Sequence, residues 1–225
     1  MALASFENNH IKLNGNRYFT GNAWTCTIGA YGKKATPLFG QDKLEVKDRL
    51  PAPKLEGRIR SMPEPHEFDE TRSSKTDFSK AVSDALLVIG LKVGGGQVYE
   101  ALASNKIKLV ELVVDEEDMR AALNSAPKAL ENLANYGVDA RVVHRVLVAV
   151  EAEMAKSFTA ASKFDVSADA LGIVSVTATG NSTVSGGVTL KLAPNTVIGY
   201  LLLDLNWNKG KTQVDSTRVD EHGIN

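Results

Sequence analysis

The residues able to do chemistry are few and scattered. His10, His66, His144 and His222 are the four histidines of the 225-residue chain, and none has a neighbour at metal-ligand spacing. His144 stands on the apolar side of a strand-like run, where a hydrogen-bonded core histidine is the commoner role. "EPHEFDE", residues 64–70, offers carboxylates to a cation, though an acidic solvated loop reads as simply. "KGKT" at Lys209–Thr212 has the ending of a phosphate loop, but Leu205 stands where its first glycine belongs and no helical pattern follows. Gly94–Gly96 lacks the spaced third glycine and the helix of a dinucleotide fingerprint. Asn181 opens an "NST" acceptor that matters only in a secreted chain. Cys26, the sole cysteine, excludes an internal disulfide and a cysteine-only metal site, and with no base beside it reads as an inert buried thiol. The sequence nominates no nucleophile, base, metal or cofactor, so no enzyme is expected.

The totals narrow the alternatives. A formal net charge of −1 supplies no global field to recruit nucleic acid or anionic lipid, so any such attraction must come from a local patch. No window reaches the roughly 18 uninterrupted apolar residues of a spanning helix. "MALASFENNH" meets polar residues too early for a secretory signal. A cytoplasmic globular protein is expected, its single thiol in keeping with that.

The elements that would position these residues follow from periodicity. "NGNRYFTGNAWTCTIGAYG" scatters aromatics among Gly and Asn, as short strands joined by tight turns do. Pro51, Pro53, Pro63 and Pro65 forbid a long helix and predict loops around a short strand near Leu55–Ile59. From Phe78 alternation sets in at Ala85, Leu87, Ile89, Leu91 and Val93, and three glycines break it. "KIKLVELVV" predicts a strand over Lys106–Val114. Asp115, with Glu116 and Glu117, predicts a helix start, and Pro127 starts a second helix that Gly137 ends. Val138 to Met154 alternates over more residues than an ordinary strand, with Arg141, Arg145, Glu151 and Glu153 on the other side. Alternation resumes in "SADALGIVSVTATG" and "STVSGGVTLKL", with Gly180–Asn181 a plausible hairpin turn. Thr196–Trp207 reads as a central strand buried on both faces. Together these predict an α+β fold, a long twisted antiparallel sheet with short peripheral helices.

The order of these stretches resembles the pore-forming N-terminal domain of the gasdermin family. "DFSKAVSDALLVIGLKVGGGQ" is similar to that family's first amphipathic segment. "KLVELVVDEEDMRAALNSAPKALENLANYG" resembles its strand and two-helix link, and "VVHRVLVAVEAEMA" the long strand that opens its second insertable hairpin. "VTLKLAPNTVIGYLLLDLNW" resembles its closing strand, entered through a Pro-containing turn. The resemblance covers residues 78–207 and fits residues 1–75 poorly. It implies one pore-forming-type domain over 1–207 and a frayed polar tail over 208–225. No long linker and inhibitory C-terminal domain of the mammalian kind follows the closing strand, so cleavage of one is not expected as the switch. Cys26 lies too far inside to match the lipidated cysteine of bacterial relatives. The nearest likeness is to the short fungal gasdermin-like regulators of cell death, which act in non-self recognition through co-assembly of two divergent allelic forms.

What the resemblance implies is a membrane-permeabilising protein, cytoplasmic when inactive and at the plasma membrane when active. It would oligomerise and insert amphipathic β-hairpins. Its partners would be anionic lipids, other copies of itself and a divergent allelic homologue. Each inserted strand needs about 9–11 residues with one lipid-facing side. Segments 80–93, 142–154, 166–178 and 184–192 have the length, and the candidate inserting residues are Leu87, Ile89, Leu91, Val93, Val146, Val148, Val150, Val174, Val176, Val188, Leu190 and Leu192. Gly94–Gly96 and "KSFTAASK" would be the pliable points. Candidate headgroup cations are Lys33, Lys34, Lys43, Lys47, Arg49, Lys54, Arg58 and Arg60, diluted by Asp42, Glu45, Asp48 and Glu56. Trp24, Phe39 or Leu87–Ile89 could add an apolar wedge. The rival reading is a soluble β-rich interaction module that never inserts, since half-buried strands of any soluble sheet alternate in the same way.

Overall fold

The structure, a computed structural model, describes residues 3–37, 41–61, 66–82, 86–88, 91–161, 163–168, 173–179, 187–192 and 196–220. The chain opens with a meander of β1 (Leu3–Glu7), β2 (His10–Leu13) and β3 (Asn16–Phe19). Asn8–Asn9 and Asn14–Gly15 are its two-residue turns, all four at positive φ, a conformation that Asn and Gly accept most readily. A second hairpin pairs β4 (Ala30–Ala35) with β5 (Lys43–Arg49). Short strands β6 (Ile59–Ser61) and β7 (Glu67–Phe68) follow, then α1 (Lys75–Ala81), whose N-terminus is capped by Ser74 Oγ. β8 (Leu86–Val88) and β9 (Leu91–Val93) form an antiparallel pair before α2 (Gly95–Ala103).

The central part of the chain supplies the long strands. β10 (Ile107–Val114) leads into α3 (Glu116–Asn124), whose first turn carries Glu116, Glu117 and Asp118 against the positive end of the helix dipole. α4 (Pro127–Ala134) has Pro at its first position, and Gly137 follows at φ 59°. Next come β11 (Ala140–Glu151), α5 (Ala152–Ala160), β12 (Lys163–Ala168), β13 (Val174–Thr179) and β14 (Val188–Leu192). The last elements are β15 (Val197–Trp207) and β16 (Val214–Asp220).

The architecture is α+β. An eleven-stranded, mostly antiparallel sheet carries a separate three-stranded sheet, β12–β13–β14, and five short α-helices among the described residues. β11 and β15 pair along most of their length and form its spine. On its other edge β11 pairs first with β4, over Ala140–Val142, and then with β10, over Arg145–Glu151. The change of partner falls at a β-bulge between Val143 and Arg145, with His144 as the extra residue. β15 likewise divides its outer edge between β3 and β16. Two apolar cores lie on opposite sides of these strands. The first gathers Val142, Val146, Val148 and Val150 of β11 with α3, α4, α5 and the small sheet. The second gathers Leu109, Leu147, Ala149 and Leu201 with the meander, α1 and α2.

Several expectations are corrected. The run through residues 80–93 is not one strand, because α1 extends to Ala81 and β8 and β9 make a short pair. The triple glycine ends β9 at Val93, as expected, and also starts a helix, which was not. A Cβ at Gly95 would stand 2.8 Å from the Val82 carbonyl oxygen, so glycine lets α2 seat on α1. The Val138–Met154 strand stops at Glu151, where the helix-forming sequence "AEMAKSFTA" becomes α5, supported by the Lys156–Glu153 pair at 2.7 Å. Neither face of β11 meets water throughout, since Leu147 and Ala149 fill the second core. The segment expected over 166–178 is divided between β12, which ends at Ala168, and β13, which begins at Val174. The short strand expected near Leu55–Ile59 begins at Ile59, after a 3₁₀ turn over Ala52–Lys54. The tail over 208–225 holds β16, which Val214 fastens into the first core and Asp220 ties to Arg141. Pro63, Pro65, Ala85, Gly180 and Asn181 lie outside the described residues.

The β4–β5 hairpin depends on one close approach. A Cβ at Gly32 would fall 2.0 Å from the Glu45 carbonyl oxygen, inside backbone that cannot retreat. Gly32→Ala is expected to destabilise the fold by about 3 kcal/mol, the upper range for overpacking, read from the urea midpoint at unchanged m-value.

Candidate functional site

The eight candidate cations fall into two groups. Lys33 and Lys34 lie on β4, and Lys43, Lys47 and Arg49 on β5, at one end of the large sheet; Lys54 follows in the 3₁₀ turn. Arg58 and Arg60 lie at β6, beside the acidic start of α3. At least five of the eight are already ion-paired. Lys33 meets Asp139 at 3.5 Å, Lys47 meets Glu45 at 3.4 Å, Arg58 meets Asp118 at 2.7 Å, and Arg60 meets Asp115 at 2.9 Å. Lys34 is only 13 % exposed and is fixed on Asp220 at 3.0 Å. Arg49 donates to the Thr25 carbonyl at 3.3 Å. The exposed pairs are individually weak, about 0–1 kcal/mol each, so a phosphate could displace their carboxylates. Lys34 is committed to the fold. Trp24 is exposed, while Phe39 lies outside the described residues.

The candidate inserting residues whose side chains are described pack inside or at the margin of the first core. Val146, Val148, Val150, Val174, Val176, Leu190 and Leu192 are buried in the first core, and Val188 packs at its margin. The outer face of β13 presents Ser175, Thr177 and Thr179, with Thr177 Oγ1 2.8 Å from Thr189 Oγ1. Leu87 falls on β8 and Leu91 and Val93 on β9; their side chains, and Ile89 altogether, lie outside the described residues.

Arrangements suited to covalent chemistry are wanting among the described residues. A cavity of about 430 Å³ is lined by Phe6, Glu7, Asn8, Asn9, Arg72, Ser74 and Asp77. Its polar groups already serve the fold: Glu7 accepts from Ser5 and Lys12, and Ser74 Oγ accepts the Asp77 amide. No cluster of three His, Cys, Asp or Glu side chains could hold a metal ion, and no helix is long and apolar enough to cross a membrane, among those residues.

Sequence reasoning missed two polar nodes. Glu111, the lone acidic residue of "KLVELVV", is 1 % exposed on the second-core side of β10. It accepts from the Tyr18 hydroxyl and from Arg145 at 3.0 Å, and His66 Nε2 lies 3.7 Å away, an ion-pair distance longer than a hydrogen bond. Burial alone would push the Glu111 carboxyl up, but His66, Tyr18 and Arg145 together hold it below the usual carboxylate range. The second node joins β16 to the sheet. Asp220 takes Arg141 Nε at 2.6 Å and Lys34 Nζ at 3.0 Å, while Asp204 takes Arg141 at 3.1 Å and Arg218 at 3.0 Å. Burial opposes ionisation of Asp220 as well, and the two cations hold its carboxyl low. A glutamate flanked on both sides by apolar residues, Leu109–Val110 and Leu112–Val114, was the signal for the first node. For the second, no local signal existed, because Lys34 and Asp220 are 186 residues apart.

His144 is buried at the bulge of β11, with Nδ1 3.2 Å from the Val114 carbonyl oxygen. The Cys26 thiol is also enclosed, and burial pushes its pKa up to about 12. No family model, no curated protein and no solved structure matches the chain.

At pH 8 the native protein is expected to react with a thiol-disulfide reagent at least about a hundredfold more slowly than the same protein in urea, because enclosure and the raised pKa suppress the thiolate. Equal rates in the two would place Cys26 at an accessible site.

Proposed function

We propose that the protein permeabilises membranes by oligomerising and inserting amphipathic β-hairpins, in the manner of the gasdermin pore-forming domain, and so executes a regulated cell death tied to non-self recognition. One observation carries this reading. Among the described residues, the β12–β13–β14 sheet forms no ladder with the large sheet, and one of its faces is apolar. It can therefore leave without breaking the ladder of β11 and β15, and it exchanges one apolar surrounding for another. Lipid would receive Val174, Val176, Leu190 and Leu192, while Ser175, Thr177 and Thr179 would face water. Backbone groups in hydrocarbon must all be paired, so such hairpins must join neighbours into a closed barrel. The α5 segment, which divides β11 from β12, would extend the strand on insertion.

The rival, a soluble β-rich interaction module, draws support from the ion pairs that occupy at least five of the eight cations. Dye release from phosphatidylserine-containing liposomes separates the readings. It should be run with this protein alone and with a divergent homologue added. Leakage in either arm supports insertion, and leakage only in the mixture makes the partner variant the trigger. Neither leakage nor pelleting in either arm favours the interaction module.

The triple variant Lys33→Gln, Lys47→Gln, Arg60→Gln should leave the fold intact, since each side chain is about half exposed or more. At about 1 kcal/mol per cation, its affinity for anionic vesicles should fall on the order of a hundredfold, measured by co-sedimentation against neutral vesicles.

A further inference from the structure

Where β11 exchanges β4 for β10, ionisable side chains are enclosed on strands that must part for the junction to open. His144 occupies the bulge and is 1 % exposed. Its Nδ1–H donates to the Val114 carbonyl, which can only accept, and this leaves a lone pair on Nε2 that has no partner. A proton added there would create a buried cation with an unanswered N–H. Its charged neighbours are Arg145, one residue on, and Glu111 of β10. Around Glu111 stand Tyr18 from β3, Arg145 from β11 and His66, which is bridged to Leu109. Arg60, in register with Val113, pairs outward with Asp115 and Asp118. No described acidic side chain hydrogen-bonds to His144 Nε2.

We propose that this junction is an acid-operated switch, in which proton uptake at His144 parts β11 from the ends of β4 and β10. In the closed form a proton is opposed by desolvation and by Arg145; in the open form water accepts the new N–H. Burial, with Arg145 beside it, lowers the His144 pKa to about 4, against about 6.5 for a solvated ring. A base whose pKa is depressed by folding contributes stability that is complete above the solvated value and is lost as pH falls toward the folded one. The working window is therefore pH 6.5 down to 4. Glu111, whose carboxyl is held low, adds loss of the same sign only deeper in the acid range. The inference is independent of the membrane reading, since it concerns strand pairing in the isolated chain.

Hydrogen exchange of the full chain at pH 7 and pH 5, corrected for the intrinsic rate, tests it. Opening in peptides over Ile107–Val114 and Ala140–Glu151 is expected to rise about twenty-fold, the ratio set by pKa values of about 6.5 and about 4. Peptides around Trp207 should change less than about threefold. His144→Gln keeps an N–H for the Val114 carbonyl and cannot titrate, so its rise should fall below about threefold. Should that variant not fold, NMR titration of the His144 ring in the unaltered protein decides. Protonation that accompanies loss of β10–β11 protection supports the switch. Equal protection at both pH values, a full rise in His144→Gln, or ring protonation near pH 6.5 without strand opening each overturns it.

Discussion

The large sheet of this molecule is organised by the pairing of β11. It is the only described strand that ladders with β15 on one edge and with two different strands on the other. Each strand edge offers its own row of backbone donors and acceptors, so two partners on one edge must meet end to end. The bulge at His144 absorbs the mismatch in register, and the Gly29 amide reaches the Val143 carbonyl at 2.9 Å where the ladder would otherwise lapse. The valines of β11 then divide between two cores. The helices α3–α5 and the small sheet settle on one side, and the meander with α1 and α2 on the other.

That arrangement explains why charge appears where it does. A strand buried on both faces has no solvent side on which to carry polar residues. Glu111 and Arg145 therefore meet diagonally across the β10–β11 pair, with Tyr18 and His66 supplying further contacts. Removing one partner of such a group exposes the desolvation cost of the other, which exceeds the net worth of the pair. The Asp220–Arg141–Lys34 node follows the same logic at the edge of β16, where it fixes a terminal strand that few apolar contacts would hold.

The small sheet obeys a different rule. Its described strands ladder among themselves, and they pack on the body through side chains, chiefly Val174, Val176, Leu190 and Leu192 against α5 and the first core. Contact of that kind is non-directional and roughly proportional to area, so another apolar surface can substitute for it. Hydrogen-bonded strands such as β10 and β11 have no such freedom. A division between a laddered frame and a side-chain-docked layer is what a protein with two environments would require, and it is compatible with an ordinary soluble domain as well.

The sequence by itself determined the elements whose signals are local. β15 reads as a doubly buried strand from its apolar run, α3 and α4 from their acidic start and Pro127, and the turn at Asn14–Gly15 from the Gly- and Asn-rich stretch around it. Alternation also marked β13 and β14. Its failures have one cause: periodicity cannot see which partner a segment will meet. Gly94–Gly96 reads as a break until α1 is there for Gly95 to touch, and the end of β11 reads as more strand until α5 finds the first core. The tail reads as frayed because Lys34 and Arg141, which hold Asp220, come from the far side of the chain. The candidate cations illustrate the same limit, since only the folded chain decides that Lys34 is sealed against Asp220 while Arg60 stays 61 % exposed. Composition and spacing set what each segment can bury. Tertiary structure decided against what, because burial and ion pairing depend on distances that sequence separation does not encode.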